Sequence, residues 1–376
     1  MARGSIRTRQ LARGKEKRYD TILRAGGKQV WRTFKRKKDA EEWLDRNSTE
    51  VHDGTYRKLN KATFREYAKH WRSTHLIPAS FKPSTYNSYC SLFEHHILPE
   101  FAPYQMTAIS SAEINTFKAG LLSSNLSNQS VRNILHLLSR FFNDALSDNY
   151  IKYSPMQGVK KPKVSKEKKG RALTLEEINS LLDVLDANTR LMVLTALLTG
   201  VRESELFALF WEDFDWDNRV FKIRRQLFWK FGKYQTRKAG EPGYVFVSPK
   251  SHHSVREIDL SPKLRKELRE VYLKGTKSGL VFRTSKGTPF VPNNIYKRKF
   301  KPAVQKAGIT GSVRFHDLRH TFGALKIEQG ENPYYIQRQM GHSSIQVTFD
   351  VYGHLLKSRK PEAAARTDEL VFGSLL

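Results

Sequence analysis

Residues 194–206 read Leu-Thr-Ala-Leu-Leu-Thr-Gly-Val-Arg-Glu-Ser-Glu-Leu, an apolar run followed by a glycine and a charged segment. The apolar residues predict a buried helix that stops at Gly200, and a second helix begins with Arg202. Arg202 and Glu205 are three residues apart, a spacing that puts both side chains on one helical face. An ordinary surface ion pair would produce the same spacing, so this segment alone does not identify an active site.

Three later segments carry further groups suited to phosphate chemistry. Lys250 lies in a predicted turn among basic residues. His316 and Arg319 share one face of a predicted helix. His342 follows the glycine that ends another helix, and Tyr352 lies on the helix after it. Each segment alone is more typical of structure than of catalysis.

The composition makes a polyanion the first partner to consider. The chain has 66 Lys and Arg against 37 Asp and Glu, a formal net charge of +29, and a pI near 10.1. Each phosphate that a basic side chain neutralises releases a counterion and adds affinity. A solvated basic surface or binding to acidic lipid would also explain the charge.

Several classes of protein are excluded or disfavoured by the same sequence. No run approaches the ~18 apolar residues of a membrane-spanning helix. The single cysteine, Cys90, cannot form an intramolecular disulfide or a cysteine zinc cluster, so a reducing cytoplasm is expected. The histidines form no HExxH, the acids are not grouped for Mg²⁺, and no GxxxxGK[ST] phosphate loop is present. A reaction on nucleic acid would therefore use neither a metal nor ATP.

Two domains are predicted in the first part of the chain. The first, residues 1–58, is strongly basic, with 17 Lys and Arg against 8 Asp and Glu in the first sixty residues. Its β-prone runs 19–24 and 30–34, followed by a helical pattern, predict a small sheet plus one helix. Residues 62–156 repeat apolar side chains at helical spacing and predict an all-helical domain.

A lysine-rich linker and a third domain follow. Residues 157–170 are rich in lysine and poor in apolar residues, which is typical of a flexible linker that can lie along phosphates. Residues 171–376 then predict a mainly helical domain with a small strand insertion at 219–260. The expected fold is thus multidomain and mainly α with small β elements.

The order of the chemical groups is more specific than any one of them. The series TGxRxxEL, a turn lysine, HxLRHT, GHSSI and a tyrosine ten residues after His342 resembles the tyrosine recombinase family, specifically the integrases of phages and integrative mobile elements. A histidine three residues before an arginine is weak evidence by itself, because His253 and Arg256 match it too. The resemblance covers essentially the whole chain. It implies an arm-site DNA-binding domain, a helical core-binding domain and a mixed α+β catalytic domain.

The resemblance also implies a role for each catalytic residue. Tyr352 is the nucleophile that forms a 3′-phosphotyrosyl link, and Glu205 orients Arg202 or His316. Two guanidinium groups suit the extra charge on the phosphate oxygens because each presents paired donors. Histidine and lysine suit proton transfer and hydrogen bonding to phosphate. The remaining roles are phosphate clamp for Arg202 and Arg319, hydrogen-bond donor for His342, general base for His316 and general acid for Lys250.

The partners implied by the resemblance are double-stranded DNA, at core and arm attachment sites, and three further copies of the chain in a homotetramer. A DNA-bending host protein and an excisionase are further expected partners. No cofactor, metal or membrane is expected, and the place of action is the cytoplasm of a bacterial host. The candidate DNA-binding residues are Arg7, Arg9, Arg18, Arg32, Lys35, Lys160, Lys161 and Lys163.

Two other functions fit part of the sequence. A type IB topoisomerase uses the same Arg, Lys, His and Tyr chemistry, but it relaxes supercoils as a monomer. A non-catalytic architectural protein would need only the basic charge and the first two domains. The complete catalytic set and the two domains ahead of it favour recombination, which would integrate or excise a mobile element or phage genome.

Overall fold

The structure is a computed structural model of the 376-residue chain. It describes residues 4–10, 17–25, 28–53, 56–57, 59–164, 170–230, 240–249 and 254–352, together with 365, 367, 369–371 and 373. The chain divides into two compact units, Met1–Val164 and Ser165–Leu376.

The first unit begins with a three-stranded antiparallel sheet and one helix. The strands are β1 Ser5–Gln10, β2 Lys17–Ala25 and β3 Lys28–Phe34, in the order β1-β2-β3. Helix α1, Lys37–His52, covers one face of the sheet. Leu23 of β2 and Ala40 of α1 are fully buried at this contact. The sequence predicts β2, β3 and α1, whereas β1 is an additional strand.

A helical bundle follows in the same unit. Phe64, Trp71 and Phe141 are fully buried at its centre, with the Phe64 and Phe141 rings 4.5 Å apart between centroids. The first helix of the bundle, Phe64–Thr74, begins with a capping box, in which the Thr63 hydroxyl accepts a hydrogen bond from the Glu66 amide. A π-helical turn, Phe93–Ile97, joins the third and fourth helices of the chain. The helices are α2 Phe64–Thr74, α3 Pro83–Leu92, α4 Leu98–Phe101, α5 Ser111–Ser123 and α6 Asn128–Ser147.

The start of the basic linker lies against this bundle. Lys118 donates a hydrogen bond to the carbonyl of Lys160 at 3.2 Å, and Asn128 donates to the carbonyl of Lys163 at 2.8 Å. The linker up to Val164 is therefore held by side chains of α5 and α6. The next five residues lie outside the described part of the chain, and the predicted domain boundaries stay predictions.

The second unit is mainly helical. Its central helix, Ala187–Thr199, is buried on nearly all sides, which explains why its sequence is apolar without a polar face. A π-helical turn, Tyr296–Phe300, joins two short helices. The helices are α7 Leu175–Val184, α8 Ala187–Thr199, α9 Glu203–Leu206, α10 Pro262–Lys274, α11 Pro292–Ile295, α12 Lys301–Lys306, α13 Asp317–Glu328, α14 Pro333–Met340 and α15 Ile345–Tyr352.

Two small antiparallel sheets complete the second unit. In one, Val220–Ile223 lies between Phe214–Asp215 and Arg256–Asp259; the other pairs Gln226–Trp229 with Tyr244–Val247. The expected fold, mainly helical with small sheets and a strand insertion after α9, is confirmed. Among the described residues, no helix is long and apolar enough to cross a membrane. The strands are β4 Phe214–Asp215, β5 Val220–Ile223, β6 Gln226–Trp229, β7 Tyr244–Val247 and β8 Arg256–Asp259.

Candidate active site

The turn after α8 presents Arg202. Gly200 ends α8 with a φ of +64°, and a Cβ there would lie 2.4 Å from the Phe322 ring. Only glycine fits this position without strain, because it combines a left-handed backbone with close packing. The chain then turns into α9, where the Arg202 amide donates to Glu205 Oε2 at 2.9 Å. Arg202 is thereby fixed at the start of α9.

Glu205 is a buried carboxylate between two arginines. Its side chain is 0% exposed, and its Oε1 accepts from Arg202 Nη1 at 2.7 Å. Arg256 of β8 donates Nη2 to Oε2 at 2.9 Å and Nη1 to Oε1 at 3.1 Å. Burial alone would raise the pKa of Glu205, but Arg256 and Arg202 outweigh it and hold the pKa below the ordinary value. Glu205 is therefore a charged anchor rather than a surface ion-pair partner.

Arg319 reaches the same turn from α13. Its Nη1 donates to the carbonyl of Gly200 at 2.6 Å, and the residue is 4% exposed. This carbonyl lies two residues before Arg202, so both predicted phosphate-binding arginines meet at the end of α8. A carbonyl oxygen has no net charge, so this hydrogen bond positions the guanidinium of Arg319 without neutralising it.

His316 stands at the N-terminal end of α13, one helical turn before Arg319. Partial desolvation, followed by the charges of His320 and Arg319, lowers the pKa of His316 to about 4, although the residue is exposed at the surface. The imidazole is therefore neutral at pH 7 and can accept a proton. This protonation state is the one that a general base requires.

His342 lies in the turn between α14 and α15. Gly341 ends α14 with a φ of +64°, and its carbonyl accepts from Arg202 Nη2 at 2.8 Å. His342 Nδ1 is 2.9 Å from Thr348 Oγ1, which orients the ring. Burial, followed by the charges of Arg319 and Arg202, lowers the pKa of His342 to about 3. His342 is thus a neutral ring next to the atom that binds Arg202.

Tyr352 and Lys250 are the two predicted catalytic residues that remain. Tyr352 is the last residue of α15, the helix that follows His342. Lys250 lies outside the described residues, just after the β7 hairpin. The structure therefore brings together Arg202, Glu205 and Arg319 with His342, and it puts the backbone of Tyr352 on the neighbouring helix.

The predicted DNA-binding residues of the sheet do not share one face. Arg7, Arg9 and Arg18 lie on the open face, because Arg9 is opposite Arg18 and Arg7 is opposite Asp20 in the pairing of β1 with β2. Arg32 is paired with Thr21, which is buried toward α1, so it lies on the helix-covered side but remains exposed. The remaining candidates lie outside the sheet and are exposed or half-buried. Lys35 follows β3, and the linker after α6 contains Lys160, Lys161 and Lys163. Binding of DNA by all eight stays a prediction.

Sequence reasoning missed two residues of the site. Arg256 looked like a chance match to the histidine–arginine spacing, yet it is 7% exposed and joins Glu205 to α14. Thr348, fully buried on α15, holds the ring of His342. The sequence did contain a signal for Arg256, because it occupies a position of a short strand whose side chain faces the core. Charged residues are seldom buried without a partner, so an arginine there indicates a buried acid nearby.

A metal site is not apparent in the described part of the second unit or elsewhere in the described chain. No group of three or more His, Cys, Asp and Glu side chains there could hold a metal ion. Independence from metal and cofactor stays a prediction.

The sequence profile of the Phage integrase family matches residues 171–359, and that of the phage integrase N-terminal SAM-like domain matches residues 63–122. The ICEBs1 integrase of Bacillus subtilis strain 168 is 29% identical over 77% of this chain and 79% of its own length. The putative prophage phiRv2 integrase of Mycobacterium tuberculosis is 27% identical over 90% of this chain and 88% of its own length.

Solved structures share the fold. The Tn1549 transposon integrase in complex with transposon right end DNA matches with a TM-score of 0.65 and 23% identity, over 82% of this chain and all of that chain. A lambda integrase dimer bound to a core site matches with a TM-score of 0.61 and 16% identity, over 94% and 97% of the two chains. Because the Phage integrase profile spans half of the sequence, the chain belongs to the phage integrase family, and it is a tyrosine-type site-specific recombinase.

Proposed function

We propose that this chain integrates or excises a mobile element by cutting and rejoining DNA strands through a 3′-phosphotyrosyl link at Tyr352. The main support is the convergence of Arg202, Arg319 and His342. Arg202 binds the carbonyl next to His342, and Arg319 binds the carbonyl two residues before Arg202. Two guanidinium groups and a histidine at one place can stabilise the negative charge of a pentavalent phosphate.

The cleavage step assigns one role to each group. The Tyr352 oxygen attacks the scissile phosphorus while its proton passes to neutral His316. The bond from phosphorus to the 5′-oxygen breaks, and Lys250 gives that oxygen a proton. Arg202 and Arg319 bind the non-bridging oxygens, which gain negative charge in the transition state.

The same groups run the step in reverse. A 5′-hydroxyl from another strand attacks the phosphorus of the phosphotyrosyl link, Lys250 accepts the proton of that hydroxyl, and Tyr352 leaves as His316 returns a proton to its oxygen. The bond energy stays in the covalent link, so joining requires no nucleotide. Glu205 does not touch the phosphate in this scheme; it holds Arg202 in place.

The DNA contacts extend beyond the scissile phosphate. Arg7, Arg9 and Arg18 on the open sheet face would bind arm-site DNA, and the linker lysines would bind the backbone of the core site. Solved lambda integrase structures include a tetramer bound to a Holliday junction, and we propose that four copies of this chain assemble on paired core sites. A DNA-bending host protein, an excisionase and a bacterial cytoplasmic location complete the proposal, because the relatives come from bacteria and their phages.

Removal of the Tyr352 hydroxyl oxygen tests this function. A suicide substrate nicked beside the core site should give a denaturant-resistant protein–DNA complex with the native chain and none with Tyr352→Phe, while both bind DNA equally. Tyr334→Phe is the matched control, because Tyr334 is 69% exposed on α14 and should leave attachment unchanged. Attachment should also persist in excess EDTA. Covalent complex with Tyr352→Phe would refute the assignment of the nucleophile, and loss in EDTA would point to a metal nuclease.

A further inference from the structure

Arg256 connects three segments of the proposed active site. It lies on β8, and its side chain is 3% exposed. Besides both oxygens of Glu205, it binds the carbonyl of Gln339 through Nε at 2.6 Å and the carbonyl of Ser254 through Nη1 at 3.0 Å. One guanidinium group therefore links α9, the end of α14 and its own strand.

We propose that Arg256 is a positioning residue, which acts through Glu205 and the Gly341 turn to hold Arg202 and His342 in register for the phosphate. This inference rests on the proposed strand cleavage and names a further residue that the reaction needs. With its side chain 3% exposed, Arg256 acts in this scheme through its protein partners and not on the phosphate.

The geometry explains why an arginine is needed at this position. A guanidinium presents several donors in one plane, so it can bind both oxygens of Glu205 and a carbonyl at the same time. A lysine would keep the charge but offers a single nitrogen. The fit at the turn is also tight, because a Cβ on Gly341 would lie 2.9 Å from Arg256 Nη1. The position of the Gly341 carbonyl, which binds Arg202, is thereby set by Arg256.

The charge of Glu205 gives Arg256 its effect on Arg202. With both arginines present, one carboxylate is shared between two cations, and Arg202 keeps part of its charge for an anion. Without Arg256, the buried carboxylate has Arg202 as its remaining cationic partner among the described residues. Glu205 would then draw Arg202 away from the phosphate and offset its charge.

Helix α14 is also attached to β8 by hydrogen bonds that do not involve Arg256, which makes the proposal testable. Gln339 Nε2 donates to Asp259 Oδ2 at 3.0 Å, and the Tyr335 hydroxyl donates to the same oxygen at 2.9 Å. These bonds keep α14 docked on β8 when Arg256 is changed. Tyr335→Phe is therefore a matched control, because it weakens the same junction without touching Glu205.

The experiment compares Arg256→Lys, Arg256→Met and Tyr335→Phe in the full chain, with the rate of covalent attachment measured at saturating suicide DNA. The Arg256 variants should cleave roughly 100-fold more slowly, the size of effect expected when a catalytic group is misplaced by about 1 Å. Their half-saturating DNA concentration should not change. Tyr335→Phe should cleave at the native rate.

A double variant separates positioning from stability. Glu205→Leu with Arg256→Met replaces the buried ions by apolar groups, and it should regain thermal stability over Arg256→Met while its cleavage rate stays low. A native cleavage rate in Arg256→Lys would overturn the inference. So would slow cleavage by Tyr335→Phe to the same degree, or the absence of a folded state in both single Arg256 variants. If the native chain itself forms no covalent complex, the proposed function fails first.

Discussion

Removing the charge of Glu205 should strongly destabilise the second unit. In Glu205→Gln, Arg256 stays 3% exposed but loses its anion, and Arg202 loses its partner at 2.7 Å. Breaking a buried ion pair by removing one partner typically costs about 3–5 kcal/mol, since it leaves an uncompensated buried charge. We therefore expect the free energy of unfolding of this unit to fall by about 3–5 kcal/mol at pH 7.

Native-state hydrogen exchange of the α8 amides is the assay, because α8 is buried and the amides of buried core helices generally exchange through large-scale opening. The full chain can be used, since peptides from α8 report on this unit alone. A loss below about 1 kcal/mol, the usual value for an exposed pair, would refute the description of Glu205 as a buried anchor.

The pH dependence of this loss has a definite sign. The pKa of Glu205 is lower in the folded chain than the ordinary 4.5, so its carboxylate stabilises the fold above pH 4.5. That contribution disappears as the pH falls through the folded pKa. The difference between native chain and Glu205→Gln should therefore be largest near neutral pH and shrink in acid. A difference that is independent of pH would contradict the ionic origin.

Three further predictions follow from other residues. His316 and His342 should remain neutral down to about pH 5.5 in the free protein, because their pKa values are near 4 and 3; ¹⁵N NMR titration midpoints near 6.5 would contradict this. Gly200→Ala should destabilise the second unit by about 1–3 kcal/mol more than Gly330→Ala, measured by hydrogen exchange, because both glycines have a positive φ but only Gly200 meets a ring. Changing Arg7, Arg9 and Arg18 together to Gln should reduce the slope of log binding constant against log salt concentration, for arm-site DNA, by up to about 0.9 per arginine. The control Lys37→Gln on α1 should leave this slope unchanged. Equal slopes in the two variants would show that the open face of the sheet is not the DNA contact.

Local patterns predicted much of the fold. The helical spacing of apolar residues predicted an all-helical segment at 62–156, where the structure has α2 and α6, and each of α2 and α7 also begins with a capping box that can be read in the sequence. These features depend on residues within a few positions of each other, so the sequence contains them directly.

The sequence of β1 does not by itself predict a strand. Its sequence, Ser-Ile-Arg-Thr-Arg-Gln, has one apolar residue and shows no buried face. It becomes a strand because its backbone pairs with β2 in register from Ser5 to Gln10. Pairing of this kind is decided by tertiary context rather than by propensity.

The site shows the same division between local and long-range information. The order of Arg202, His316, Arg319, His342 and Tyr352 indicated the chemistry. The role of Arg256 was hidden, because a buried arginine is recognised only when its anion is known, and Glu205 lies 51 residues away in the sequence.

The identity of the residue that carries the DNA tests the central claim most directly. Trypsin cleavage after Arg338 and Lys357 yields residues 339–357, a peptide in which Tyr352 is the single tyrosine. Mass spectrometry of the trapped complex, after nuclease digestion, should find a nucleotide 3′-phosphate attached to Tyr352 in that peptide. A covalent adduct on any other residue, or a trapped complex in which this peptide is unmodified, would contradict the account.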